Sequence, residues 1–311
     1  MAIGIVRYVI QRLLVAILAL LVITTVVFVT IRLTGSPVAA MLGSGNPSKQ
    51  AVVALTRQLG LNKPLWVQYW TFIQGLLLHG NLGTSFATGQ PVSYLIMTHM
   101  PATIVLAVAG SVVGVVLAVP IGLLSAVRRN SWIDFVGRIF ALIGISFPNF
   151  WLGMMFILVF SVGLHWFPAS GYGSFSSLVL PSVTLGLILA GINARLMRSS
   201  VLEILGRDYI RTARAKGLSN LTIVMKHVLR NALVPIVTYV GQQFATLLGG
   251  IVFVEVVFAW PGIGTLSLTA VETRDFPLVQ GIVLAFAALL IVVNLLTDLS
   301  YVLIDPQIRL E

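Results

Sequence analysis

The stretch Leu13–Ile31, LLVAILALLVITTVVFVTI, is nineteen residues long and carries no charge. As an α-helix rising 1.5 Å per residue it spans about 28 Å, close to the roughly 30 Å hydrocarbon core of a bilayer. Arg7 and Arg12 precede it, in the manner of a secretory leader. A leader's apolar core is only about 7–15 residues long and ends at a small-residue cleavage site. This run is longer and no such site follows it cleanly, so it is expected to be retained as a first span, Val9–Ile31.

Five further apolar stretches have the same character: Ala102–Val127, Ile139–Val162, Leu178–Met197, Ala232–Val257 and Leu278–Ile304. The composition agrees with them. The 311-residue chain is 58% hydrophobic and 9% charged, with a mean hydropathy of +1.02. Soluble domains carry about 25% charged residues, so a chain this poor in charge cannot cover a water-facing surface. The expected fold is an all-α membrane protein of about six transmembrane helices. Residues 1–31 form the first, 32–100 an extramembrane segment, and 101–311 a five-helix core with a polar loop at 199–231. Pro101, Pro181 and Pro277 are expected at helix starts, where the missing N–H costs nothing. Pro306 is expected to stop the last helix, and Pro120 and Pro148 to kink the spans that contain them.

The net charge of +10 would suit nucleic-acid binding, but its distribution argues otherwise. With a cytoplasmic N-terminus, fourteen of the nineteen basic residues fall on the inner side, eight of them between Arg195 and Arg230. Only Arg32, Lys49, Arg57, Lys63 and Arg274 fall outside. That asymmetry predicts both termini in the cytoplasm and accounts for the basicity without nucleic acid. The chain has no cysteine, and His79, His99, His165 and His227 are scattered, so no metal site is expected. No Gly-x-x-x-x-Gly-Lys or Gly-x-Ser-x-Gly occurs, so neither a phosphate-binding loop nor a nucleophile elbow is expected.

Within 32–100, Asn46-Pro47 followed by Ser48–Leu59 and Gly60 reads as a capped short helix. Pro64–Leu78, with Trp66, Tyr69, Trp70 and Phe72, reads as a second, rich in the aromatic residues that favour a membrane interface. Small residues recur every fourth position at Gly110, Gly114, Ala118 and Gly122, and again at Gly241, Ala245 and Gly249. Such faces bring helix backbones together in lipid.

The longest polar segment on the inner side is Glu203–Arg230. Ile210 and Ala213, then Leu221, Val224, Met225, Val228 and Leu229, recur at helical spacing. Gly217 separates the two runs and Ser219 can cap the second. Two short amphipathic helices therefore meet at a glycine turn. They are too polar to cross the membrane and too regular for a plain linker. A helix pair held by anionic lipid is the alternative.

Arg211-Thr212-Ala213-Arg214-Ala215-Lys216-Gly217-Leu218, followed by Lys226-His227 and Leu229-Arg230-Asn231-Ala232, resembles the oligopeptide/dipeptide/nickel group of ABC importer permeases. Of the superfamily's Glu-Ala-Ala-x-x-x-Gly, the second Ala and the Gly are present at Ala213 and Gly217. The likeness extends along the chain through Pro101-Ala102-Thr103, Ile145-Ser146-Phe147-Pro148, Leu180-Pro181-Ser182, Trp260-Pro261-Gly262-Ile263-Gly264, Phe276-Pro277-Leu278-Val279 and Asp305-Pro306-Gln307-Ile308-Arg309. The long first outer segment resembles the first of the two permease subunits. The resemblance implies a type I ABC importer permease in a bacterial inner membrane, paired with a second permease subunit. Two ATPase subunits, which hold ATP and Mg, and an extracytoplasmic substrate-binding protein would complete the assembly. No cofactor or catalytic residue is then expected on this chain. Asp208, Tyr209, Arg211, Thr212, Ala213, Arg214, Ala215, Lys216, Gly217 and Leu218 would form the ATPase-coupling element, with Ala213 on the face that meets the partner. Peptide, nickel chelate and glutathione systems share this architecture.

Polar residues inside spans are costly and suggest function. Asn193, Gln242, Gln243, Glu255 and Asn294 are candidates for the pathway, or for helix-to-helix hydrogen bonds. Asp298 is expected to pair with a basic residue such as Arg12 or Arg138. An ion-driven secondary transporter is the rival class; such carriers use membrane-embedded carboxylates and inverted repeats, and no internal repeat is visible here.

Overall fold

The computed structural model describes residues 2–33, 38, 42 and 48–304. Asn46, Pro47, Pro306 and the Asp305–Arg309 motif lie outside them, as do the side chains of Ala245 and Asp298. The described residues are almost wholly helical; the isolated antiparallel bridge between Thr84 and Pro91 is the extended pairing among them. Helix α1 is Ala2–Leu33, α2 Lys49–Gln58, α3 Leu65–His79 and α4 Val92–Val127. Then come α5 (Trp132–Ser146), α6 (Asn149–Phe156), α7 (Phe175–Leu205) and α8 (Asp208–Ala215). The last of the described helices are α9 (Leu229–Val257), α10 (Ile263–Glu272) and α11 (Phe276–Ile304).

Among the described residues five helices are long and apolar enough to cross a membrane, and a bent pair counts as a sixth when taken as one span. The exception to the expected set is the third span. Ile139–Val162 is not one helix kinked at Pro148. It is α5 followed by α6 and its π-helical continuation Ile157–Gly163, with the two parts bent by 108°. Phe147 lies at φ −99°, ψ 137° and Pro148 at φ −61°, ψ 143°. Proline disfavours the helical region for the residue before it, and here, with Phe147 and Pro148 both extended, the helix is broken rather than bent.

Two other prolines sit deeper than expected. α4 starts at Val92, so Pro101 is inside it, and Pro181 is inside α7. Pro277 does fall at a helix start, in the first turn of α11. The 36 residues of α4 amount to about 54 Å of helix, far more than the hydrocarbon core, so part of it belongs outside the lipid. Within the segment between the first two long helices, Ser48 caps α2 by accepting from the Ala51 N–H at 3.2 Å. Gly80, in the left-handed region at φ 58°, ends α3.

The described residues up to Ala102, with Pro261–Val292, form one compact unit. Its core joins Val92, Leu95 and Ile96 of α4 to Ile263 and Ala270 of α10 and to Leu278 and Ile282 of α11. Asp275, fully buried ahead of α11, accepts from the Leu278 N–H at 3.2 Å through Oδ1. Its Oδ2 accepts from the Ser85 hydroxyl and the Ala87 N–H, which fastens the 83–91 loop to the start of α11.

The second unit comprises Thr103–Trp260 and the described residues from Val293 onward. Its hub is α7, packed on α5, α6 and α9. The small-residue stripe of α4 lies against α7. A Cβ added at Gly110, Gly114 or Gly122 would sit 2.8 Å from Leu185 Cβ, 2.7 Å from Leu189 Cβ or 2.6 Å from the Ala194 carbonyl oxygen, and Ala118 is fully buried. The second stripe holds only in part. Gly241 is closed off by Thr297, whereas a Cβ added at Gly249 meets nothing within 4 Å among the described residues.

Candidate functional site

The segment after α7 folds as a short helix followed by a capped turn. Arg207 is extended, and α8 begins with Asp208 in its first turn, where a carboxylate complements the helix dipole. Gly217 stands at φ 75°, a left-handed conformation that glycine adopts without steric cost. Ser219 then accepts from the Thr222 N–H at 3.2 Å and caps the next turn, Asn220–Thr222. That turn runs into a π-helical stretch, Ile223–Val228, and so into α9.

Ile210 and Ala213 are buried and join a core with Met197, Val201, Ile204, Ile223, Val228, Ala232 and Ile236. This revises two expectations. Ala213 packs against its own chain, so it is not on a face that meets a partner. The second apolar run is also out of register with the expected pattern. Leu221 and Met225 are 73% and 52% exposed, whereas Ile223, which that pattern omits, is buried with Val228. The π-helix is the reason. Its repeat is i to i+5, so Ile223 and Val228 share a face that an α-helical count gives to other residues.

Asp208, Tyr209, Arg211, Thr212, Arg214, Ala215, Lys216, Gly217 and Leu218 are all exposed. Arg211 sits 3.8 Å from Asp208, and the Tyr209 hydroxyl accepts from Asn231 Nδ2 at 3.1 Å, which ties α8 to the start of α9. The result is one firmly anchored element whose outer surface combines Tyr209, Leu218, Leu221 and Met225 with Arg211, Arg214 and Lys216. A mixed apolar and basic face of that kind is suited to a protein partner.

The polar candidates in the spans separate into two groups. Asn193 of α7 donates through Nδ2 to Gln243 Oε1 of α9 at 3.0 Å, and both residues are buried. Thr103 donates to Glu255 Oε1 at 2.7 Å, with both fully buried. These are helix-to-helix bonds. Gln242 and Asn294 are exposed and the structure does not bring them to the same site. The Trp260-Pro261-Gly262 motif begins with Trp260 buried edge-on against Tyr172, ring centroids 4.9 Å apart.

Asp134 went unnoticed in the sequence. It is fully buried at the start of α5 and receives a two-pronged bond from Arg198: Nε to Oδ1 at 2.8 Å and Nη2 to Oδ2 at 2.9 Å. The Asn130 N–H adds a bond at 3.0 Å, and Arg138 lies 3.6 Å away. Arg138 thus has a partner other than the expected Asp298. The signal was present: Asp134 stands four residues before Arg138, a favourable helical spacing. Among the described residues no three His, Cys, Asp or Glu side chains group in a way that could hold a metal ion.

Residues 118–310 match the family described as "Binding-protein-dependent transport system inner membrane component", and residues 5–107 match its N-terminal companion. The chain is 43% identical over 303 residues to the glutathione transport system permease protein GsiC of Salmonella choleraesuis, covering 97% of this chain and 99% of that one. It is 44% identical over 305 residues to GsiC of Pectobacterium atrosepticum, and 43% identical over 316 residues to a protein of Brucella suis biovar 1 named as a peptide permease, with the same coverage in each case. Among solved structures, an inward-facing crystal form of the MetNI methionine ABC transporter superposes with a TM-score of 0.56 at 23% identity. That match covers 66% of this chain and 94% of that one.

Proposed function

The chain belongs to the binding-protein-dependent transport system inner membrane components, and from that premise we propose that it is an ABC importer permease subunit carrying short peptides, glutathione among them. It pairs with a second permease subunit and with two ATPase subunits that hold ATP and Mg, and it receives cargo from an extracytoplasmic binding protein. Both termini and the loops 128–138 and 199–231 face the cytoplasm. The face of α8 and the turn after it, Tyr209 to Met225, seats in the ATPases and passes their movement to α9.

One observation carries this reading. The apolar stripe of α8 is already consumed inside its own chain, while a separate apolar and basic face stays exposed on the same rigid element. A lipid-held helix pair would turn its buried stripe to the membrane instead. The relatives named as glutathione and peptide permeases support the cargo class. The test is uptake of labelled glutathione and of a labelled dipeptide into vesicles holding the complete transporter. Uptake should require ATP and survive an uncoupler. Uptake that ignores ATP and collapses with the proton gradient would replace this reading with an ion-coupled carrier.

A further inference from the structure

The unit built on α1, α3 and α11 contains a cavity of about 400 Å³ that the transport reading does not use. Arg32, Lys63, Gln68, Asn81, Phe276 and Gln280 are among its walls, and no Asp or Glu is. Arg32 closes the last turn of α1. Its guanidinium lies 3.4 Å from the centre of the Phe28 ring and donates to Gln68 Oε1 at 2.9 Å and to the Phe28 carbonyl at 3.4 Å. Gln68 in turn donates to the carbonyls of Leu61 and Lys63. Among the described residues neither Arg32 nor Lys63 pairs with a carboxylate. The cavity is therefore cationic, and its Arg is held in place by neutral groups alone.

Gln280 gives the second observation. It is 4% exposed, and its Nε2 finds no acceptor among the described residues. Buried donors are almost always paired. Gln280 also borders a cleft lined by Ile23, Thr24, Val27, Val283 and Leu284, and that cleft has no room for a water. Gln280 lines the cavity as well, and the cavity, far larger than a single water requires, has room for a group that supplies the missing acceptor.

We propose that this cavity binds the phosphate of an anionic phospholipid headgroup, held by Arg32 and Lys63 with Gln280 Nε2 as a third donor. Three features select a lipid. The Leu14–Leu33 stretch of α1 is only 11% buried, so Arg32 ends a helix that faces lipid along its length. Leu65, Trp66 and Trp70, all more than half exposed, stand on α3, whose Gln68 and Phe72 line the cavity, and they mark interface depth. An Arg and a Lys at headgroup depth suit the phosphate of an anionic lipid, to which they form charge-assisted hydrogen bonds.

The test is native mass spectrometry of the purified transporter titrated with phosphatidylglycerol, phosphatidylcholine or inorganic phosphate. Phosphatidylglycerol should bind at one saturable site and phosphatidylcholine more weakly. Arg32→Gln and Gln280→Leu should each weaken it about ten- to a hundredfold, as expected for a lost charge-assisted hydrogen bond. Lys63→Gln, an exposed substitution that leaves folding intact, should weaken it by a smaller factor. Equal retention in the wild type and Lys63→Gln, together with Arg32→Gln, would mean a water-filled cavity and overturn the proposal. Tight binding of inorganic phosphate with no preference for phosphatidylglycerol would overturn it too, by assigning a free anion in place of a lipid.

Discussion

Gly217 and Asp134 show how differently single residues report themselves. A Cβ on Gly217 meets nothing within 4 Å, so the cost of replacing it is one of backbone alone. A left-handed φ costs an ordinary residue about 1–2 kcal/mol and a β-branched one more. Gly217→Val should insert normally yet lose most ATP-driven uptake, with Gly217→Ala in between. Expression, recovery of the ATPases and uptake, measured together, check this, and full uptake by Gly217→Val would remove the segment from the coupling path. Asp134 works by burial instead. Asp134→Ala strands the partly buried Arg198 guanidinium and should cost about 2–3 kcal/mol, seen as a lower Tm of the detergent-solubilised protein. Replacing Arg198 by Leu in the same chain should recover part of the loss. Gly217 and the Ser219 cap were legible in the sequence because turn and cap chemistry is local. Asp134 showed only its i+4 spacing to Arg138, because its main partner, Arg198, stands sixty-four residues away.

At the scale of elements, hydropathy located five of the six apolar segments and missed the break in the remaining one. A sliding count of apolar residues does not register that Phe147 and Pro148 are both extended, since it scores side chains and not backbone conformation. Ile223 was missed for a related reason: helical counting assumes 3.6 residues per turn, and the π-helical stretch does not keep it. The stripe on α4 was legible because period and residue size both survive in sequence. It also makes a sharp prediction. Leu at Gly114 would drive its side chain into Leu189, where the neighbouring Gly186 carbonyl already lies 3.3 Å from an added Cβ. Gly114→Leu should destabilise the α4–α7 contact by about 1–3 kcal/mol and cut the yield of folded protein. Leu at Gly249, which faces open space, should leave the yield unchanged. Thermal unfolding of the two variants side by side decides it.

For the whole molecule, the distribution of basic residues remains the strongest guide to orientation. With no native cysteine, Ser219→Cys provides a single exposed thiol at the cap of the turn after α8. It should resist a membrane-impermeant maleimide in intact cells and react after the cells are opened; labelling from outside would invert the topology. The π-helical stretch between that cap and α9 has a mechanical consequence. Each π turn inserts one more residue than an α turn, so the rod entering Ile223 leaves Val228 with its azimuth advanced while its axis runs on. A push delivered at Ser219 thus reaches Leu229 through a joint with a built-in phase offset. Such a joint can trade its extra residue along the rod, and axial thrust then emerges as rotation. On the proposed coupling, a push at Ser219 would turn α9 about its axis as well as tilt it, and the Asn193–Gln243 bond is one that such a turn would strain.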